Sequence, residues 1–105
     1  MAQFDLYANA DKVSARTYPL LLEVQADLLS ALPTTVVIPL AKPAVVGDRP
    51  IGGLNPVASF DGREWVLMVQ ELAAMRRNGL GPRRGDLRHL RGEVVAALDL
   101  LLTGI

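Results

Sequence analysis

Short apolar runs separated by turn residues fill the first eighty positions, and the last twenty change to helical spacing. Residues 3–7 form a short aromatic-rich run. Residues 20–26 are mostly apolar, with Glu23 and Gln25 on one face. Residues 34–40 are β-branched through Thr34, Thr35, Val36, Val37 and Ile38, and Pro39 predicts a strand end or an edge there. Proline and glycine crowd residues 43–56, which predicts a loop with short extended pieces. Asp61-Gly62 between residues 57–60 and 63–68 predicts a tight hairpin, because both turn positions need φ > 0. Trp65, just beyond that turn, reads as a core aromatic, with a binding platform as the alternative.

Residues 69–77 are ambiguous between helix and strand, and Asn78-Gly79 and Gly81-Pro82 read as breaks. A helix follows. Asp86 is a good N-cap, Leu87, Leu90, Val94, Leu98 and Leu101 recur at spacings of three and four, and Gly104 suits the C-terminus. Val95, Ala96, Ala97, Leu100 and Leu102 make the helix apolar on most of its surface. Such a helix in a small chain needs a second cover, and a partner copy of the chain is the expected one. The predicted class is α+β, mainly β: a small barrel or folded sheet of antiparallel strands with a C-terminal helix.

Composition narrows the function. The 105 residues predict one domain over 1–105, able to bury roughly 65% of its unfolded surface. Half the residues are hydrophobic, and eleven basic residues balance eleven acidic ones, which argues against a disordered chain or a polybasic coat. Without cysteine, disulfides and thiolate metal sites are excluded; a single histidine excludes multi-histidine sites. No metal or other cofactor is expected. No apolar run is long enough to span a membrane, and no basic segment precedes an apolar one at the N-terminus, so the expected location is the cytoplasm with no membrane partner.

Six of the eleven basic residues fall between Arg76 and Arg91: Arg76, Arg77, Arg83, Arg84, Arg88 and Arg91, with only Asp86 opposing them in that window. Arginines suit bidentate contacts with phosphate or carboxylate, and a solvated face is the plainer reading. No aromatic interleaves them, so a base-stacking surface is not supported. His89 has no partner at a fixed spacing, the carboxylates are scattered, and no phosphate-binding loop or hydrolase motif is present. From its chemistry the chain reads as a binding protein.

Three blocks resemble the CcdB family of bacterial toxin–antitoxin toxins. The first is Val24-Gln25-Ala26-Asp27 followed by Val37-Ile38-Pro39-Leu40-Ala41. The second is Leu54-Asn55-Pro56-Val57 with Trp65 and Met68 downstream. The third is Asp86-Leu87-Arg88-His89, leading to Gly104-Ile105. The resemblance implies an SH3-like barrel with a C-terminal helix near a homodimer axis, and Leu98 and Leu101 are the interface residues expected on it. It implies a non-enzymatic toxin that binds the A subunit of DNA gyrase and traps its complex with cleaved DNA. It also implies a CcdA-like antitoxin with a flexible acidic tail, which the arginines are expected to meet; operator DNA would be bound only through that antitoxin, in operon repression. The gyrase-contacting positions map onto Leu28, Leu29, Asp99, Leu102, Thr103, Gly104 and Ile105. The family ends in Trp-Gly-Ile, whereas this chain ends in Thr103-Gly104-Ile105, which puts strong poisoning in question. Two other readings stand beside this one: an endoribonuclease of the related MazF/Kid type, and a dimeric module serving only antitoxin binding and repression.

Overall fold

A computed structural model describes residues 2–47 and 50–104. The strands are β1 (Asp5–Asn9), β2 (Leu20–Glu23), β3 (Thr34–Ala41), β4 (Val57–Phe60), β5 (Arg63–Leu67), β6 (Ala73–Arg76) and β7 (Leu80–Asp86). Among the described residues, two helices, α1 (Pro43–Val46) and α2 (Arg91–Thr103), complete the regular elements with five 3-10 turns. All pairings are antiparallel, in the order β4-β5-β3-β2-β1-β7, and β6 pairs with the first half of β3.

Alternation decides which side chains meet. Leu6, Leu22, Ile38, Leu40 and Leu67 are fully buried on the inner face of the curled sheet. Leu87, Leu90, Val94 and Ala97 lay the start of α2 and its lead-in across that face. The edge strands approach one another through side chains. Phe60, at the end of β4, lies where a Cβ on Gly85 of β7 would be only 2.6 Å from its ring. Arg84 and Asp61 stand 3.9 Å apart across the same seam. The result is a curled half-barrel with a C-terminal helix, the class expected from the sequence.

The hairpin is as expected: Asp61 and Gly62 have φ of 54° and 73°. Trp65 is buried, and its indole N–H donates to the Phe60 carbonyl at 3.2 Å, so it is a core residue. Other boundaries move. Pro39 is not at a strand end; it lies inside β3, opposite Leu21. Its carbonyl accepts from the Met68 N–H at 2.9 Å, so its missing N–H faces the gap between β6 and β5, where no ladder needs a donor. The ambiguous segment becomes a 3-10 turn at Val69–Glu71 and then β6. Gly81-Pro82 does not end the strand but lies near the start of β7, where the register with β1 shifts between Tyr7 and Asn9. There β1 comes so close that a Cβ on Gly81 would meet the Ala8 carbonyl oxygen at 2.5 Å. Asp86 is not the N-cap of α2: it ends β7 and accepts from the Arg88 N–H at 3.1 Å, the 3-10 turn Arg88–Leu90 intervenes, and α2 begins at Arg91 after Leu90.

Candidate functional site

The outer face of the sheet carries a charged network that local sequence does not foreshadow. Residues 5 and 23 sit opposite one another on β1 and β2, because Leu6 pairs with Leu22. Both carboxylates are buried. Glu23 Oε2 receives the Arg77 guanidinium at 2.6 Å and the Thr35 hydroxyl at 2.6 Å. Asp5 Oδ1 receives Arg83 at 3.1 Å and Arg88 at 3.3 Å, and its Oδ2 accepts from the Ala2 N–H at 3.0 Å. Asp86 adds a second anion to the same two arginines.

Burial pushes the Asp5 carboxyl up, but the Arg83 hydrogen bond, the Ala2 N–H and the charges of Arg83 and Arg88 outweigh it and hold the group below its ordinary value. A carboxylate depressed in the folded state stabilises it above the unfolded pKa. That contribution is lost as pH falls through the folded value. Stability is therefore expected to decline below about pH 4, and less steeply in Asp5→Asn; acid unfolding followed by circular dichroism checks this. Burial, reinforced by Glu23 and Asp5, pushes the Tyr7 phenol up to about 12. The Tyr7 hydroxyl has no hydrogen-bond partner among the described residues. The folded state thus holds the phenolic proton more tightly than the unfolded chain, and stability falls as pH rises from about 10. Tyr7→Phe is expected to be neutral or stabilising at pH 7 and to remove much of the alkaline loss, measured by thermal unfolding at both pH values.

The arginine patch is consequently divided. Arg77 has only 15% of its side chain exposed and is spent on Glu23, so it does not belong to a surface available to an acidic partner. Arg83 and Arg88 are half-exposed but share Asp5 and Asp86. Arg91 donates to Gln3 at 3.1 Å and lies over the Phe4 ring at 5.7 Å. Among the described residues Arg84 makes only the long contact to Asp61, and Arg76 is exposed. Apart from Asp86, the counter-ions come from β1, β2 and the hairpin, more than twenty residues away in sequence, and a glutamate inside an apolar strand was the local signal for one of them.

The residues expected to contact gyrase occupy two surfaces. Leu28 and Leu29 lie on the 3-10 turn Asp27–Leu29, with Leu28 92% exposed. Asp99, Leu102, Thr103 and Gly104 are exposed at the end of α2, where Leu102 is 76% exposed. Thr103 turns its hydroxyl back to the Asp99 carbonyl at 2.6 Å, and Gly104 closes the helix in the left-handed region at φ 77°. Ile105 lies outside the described residues. The hydrogen bonds of the Leu28 loop run to Gln3, β3 and Arg77 rather than to α2. Leu98 and Leu101 are half-buried against the chain's own core, and the bare apolar face of α2 is Val95, Ala96 and Leu102.

His89 is exposed in the turn before α2. Among the described residues, no group of three His, Cys, Asp or Glu side chains is placed to hold a metal ion, and no helix is long and apolar enough to cross a membrane.

The fold is similar to a solved structure, an endoribonuclease in complex with its cognate antitoxin from a mycobacterial species. The match has a TM-score of 0.74 and 12% identity, over 97% of this chain and 94% of that one, and at that identity it speaks for the fold alone. The CcdB protein family matches over residues 3–104, including the strands, the exposed Leu28 turn and the whole of α2. The chain belongs to the CcdB family.

Proposed function

We propose that this chain is the toxin of a toxin–antitoxin module, that it acts by docking to the A subunit of DNA gyrase and trapping the gyrase–cleaved DNA complex, and that it is not an enzyme. The whole-length CcdB match carries the reading. Two exposed apolar surfaces, Leu28-Leu29 and the end of α2, support it, since exposed leucines in this number serve docking better than solubility. Gyrase-dependent accumulation of linear plasmid is the test.

The active form is a homodimer joined along α2. Val95 and Leu102 are bare in the single chain, and Leu98 and Leu101 still show part of their surface. Val95→Asp is expected to shift the protein toward monomer with little change in fold, whereas Leu98→Asp also damages the core. Sedimentation at micromolar concentration checks this, and a wild type that sediments as a folded monomer contradicts the dimer.

A cognate antitoxin with an acidic flexible segment neutralises the toxin and joins it in repression, and the exposed cations Arg76, Arg84 and Arg91 receive that segment. Its affinity is expected to fall at high salt because exposed charge pairs are screened. Titrations at two salt concentrations decide this; an affinity indifferent to salt removes the arginines' role.

The solved neighbour named as an endoribonuclease makes RNA cleavage the second reading. Glu23, Thr35 and Arg77 do converge, but Thr35 and Glu23 are sealed beneath the surface, where an RNA phosphate does not reach them. A non-toxic dimeric module acting only in antitoxin binding is the remaining alternative.

A further inference from the structure

We propose that Arg77 is a positioning residue that latches the Leu28–Leu29 loop into its docking shape; the inference rests on the gyrase reading above. Arg77 opens the 3-10 turn that follows β6, and all three nitrogens of its guanidinium are engaged. One bonds buried Glu23 at 2.6 Å, Nε donates to the Leu32 carbonyl at 2.7 Å, and the third nitrogen donates to the Leu29 carbonyl at 3.4 Å. The Arg77 N–H adds a bond to the Pro33 carbonyl at 2.9 Å. One side chain thus ties a carboxylate fixed inside the sheet to two carbonyls of the loop that displays Leu28, Leu29 and Leu32.

The loop has little else to hold it. Leu28 is 92% exposed and Leu29 and Leu32 keep 44% and 46% of their surface open, so apolar burial holds the loop only in part. Its own bonds are short-range turns, Leu29 to Ala26, Ser30 to Asp27 and Leu32 to Leu29. Two further ties come from polar side chains: Gln25 donates to the Leu29 and Thr34 carbonyls, and Asp27 accepts from the Gln3 N–H. A docking surface gains affinity when its shape is set before binding, because less ordering entropy is lost on association. Arginine suits the task because its planar fork presents several donors at fixed angles, whereas lysine offers a point charge.

The experiment is Arg77→Lys, which keeps a cation beside Glu23 but cannot reproduce the fork. Three quantities are read: thermal stability, amide exchange at Leu29, Ser30 and Leu32, and affinity for purified gyrase A. Expected are a folded dimer melting within a few degrees of wild type, exchange in the loop faster by about tenfold, and affinity lower by about tenfold. Leu28→Ser provides the comparison, losing affinity with unchanged exchange elsewhere. Should Arg77→Lys not fold, the pair Arg77→Met with Glu23→Gln removes the latch and its buried charge together, with the same expectations for loop exchange and affinity. Unchanged loop exchange, or unchanged affinity with faster exchange, overturns the latch. A wild type that does not bind gyrase A overturns the docking reading and the proposal with it, whereas a wild type that binds beside an unaltered variant overturns the latch alone.

Discussion

Arg77→Met is expected to lower the free energy of unfolding by about 3 kcal/mol, the low end of the range for stripping one partner from a buried ion pair. The loss arises at Glu23. Its side chain is almost wholly enclosed, its Oε1 already lacks a partner among the described residues, and without Arg77 only the Thr35 hydroxyl remains on Oε2. A domain of this size has a total stability of roughly 5–15 kcal/mol, so the change consumes a large part of it. The melting temperature should fall by roughly 12–24 °C. Adding Glu23→Gln should restore more than half of the loss, because a neutral amide costs less to bury than an unpaired carboxylate. Thermal unfolding of the wild type, the single and the double variant measures this. A single variant that melts within two or three degrees of wild type would mean that Glu23 does not depend on Arg77.

Thr103→Trp is expected to tighten binding to gyrase A by about thirty- to a thousandfold. Thr103 is exposed at the last turn of α2, and its hydroxyl is already satisfied by the Asp99 carbonyl, so the side chain offers a partner little apolar area and no free donor. An indole there would present a large rigid face, and aromatic anchors at interface centres contribute roughly 2–4 kcal/mol. The fold has little stake in the exchange. Thr103 and Gly104 contribute no buried side chain, and their hydrogen bonds stay inside the last helical turn. Truncation before Thr103 should therefore remove binding and leave melting within a few degrees of wild type. Calorimetric titration of the three proteins against gyrase A checks both statements, and equal affinities of wild type and Thr103→Trp would show that the anchor lies elsewhere.

The elements legible in the sequence were those written in local chemistry. Asp61-Gly62 demanded two positive φ values and has them. The leucine and valine spacing after residue 87 placed α2, although the 3-10 turn at Arg88–Leu90 delays its first α-helical residue to Arg91. β7 was hidden because Gly81-Pro82 carries the composition of a break; the glycine answers to Ala8 on the neighbouring strand, a contact across more than seventy residues. The same separation hid the fate of the arginines. Asp86 was the one acid between Arg76 and Arg91, yet Asp5, Glu23 and Asp61 reach them through the curl of the sheet. The two exposed leucine surfaces came from family resemblance rather than from pattern, since an exposed leucine in a turn looks in sequence like any other core candidate.

The central claim is a toxin that acts by trapping gyrase rather than by cleaving a substrate itself. Supercoiled plasmid, purified gyrase and the purified protein, with an RNA substrate in parallel, test it most directly. Gyrase trapping predicts linear DNA that requires gyrase, is faint with the wild type, is strong with Thr103→Trp, and appears while the RNA stays intact. RNA cleavage by the wild type, or no linear DNA even with a folded Thr103→Trp variant, would contradict it.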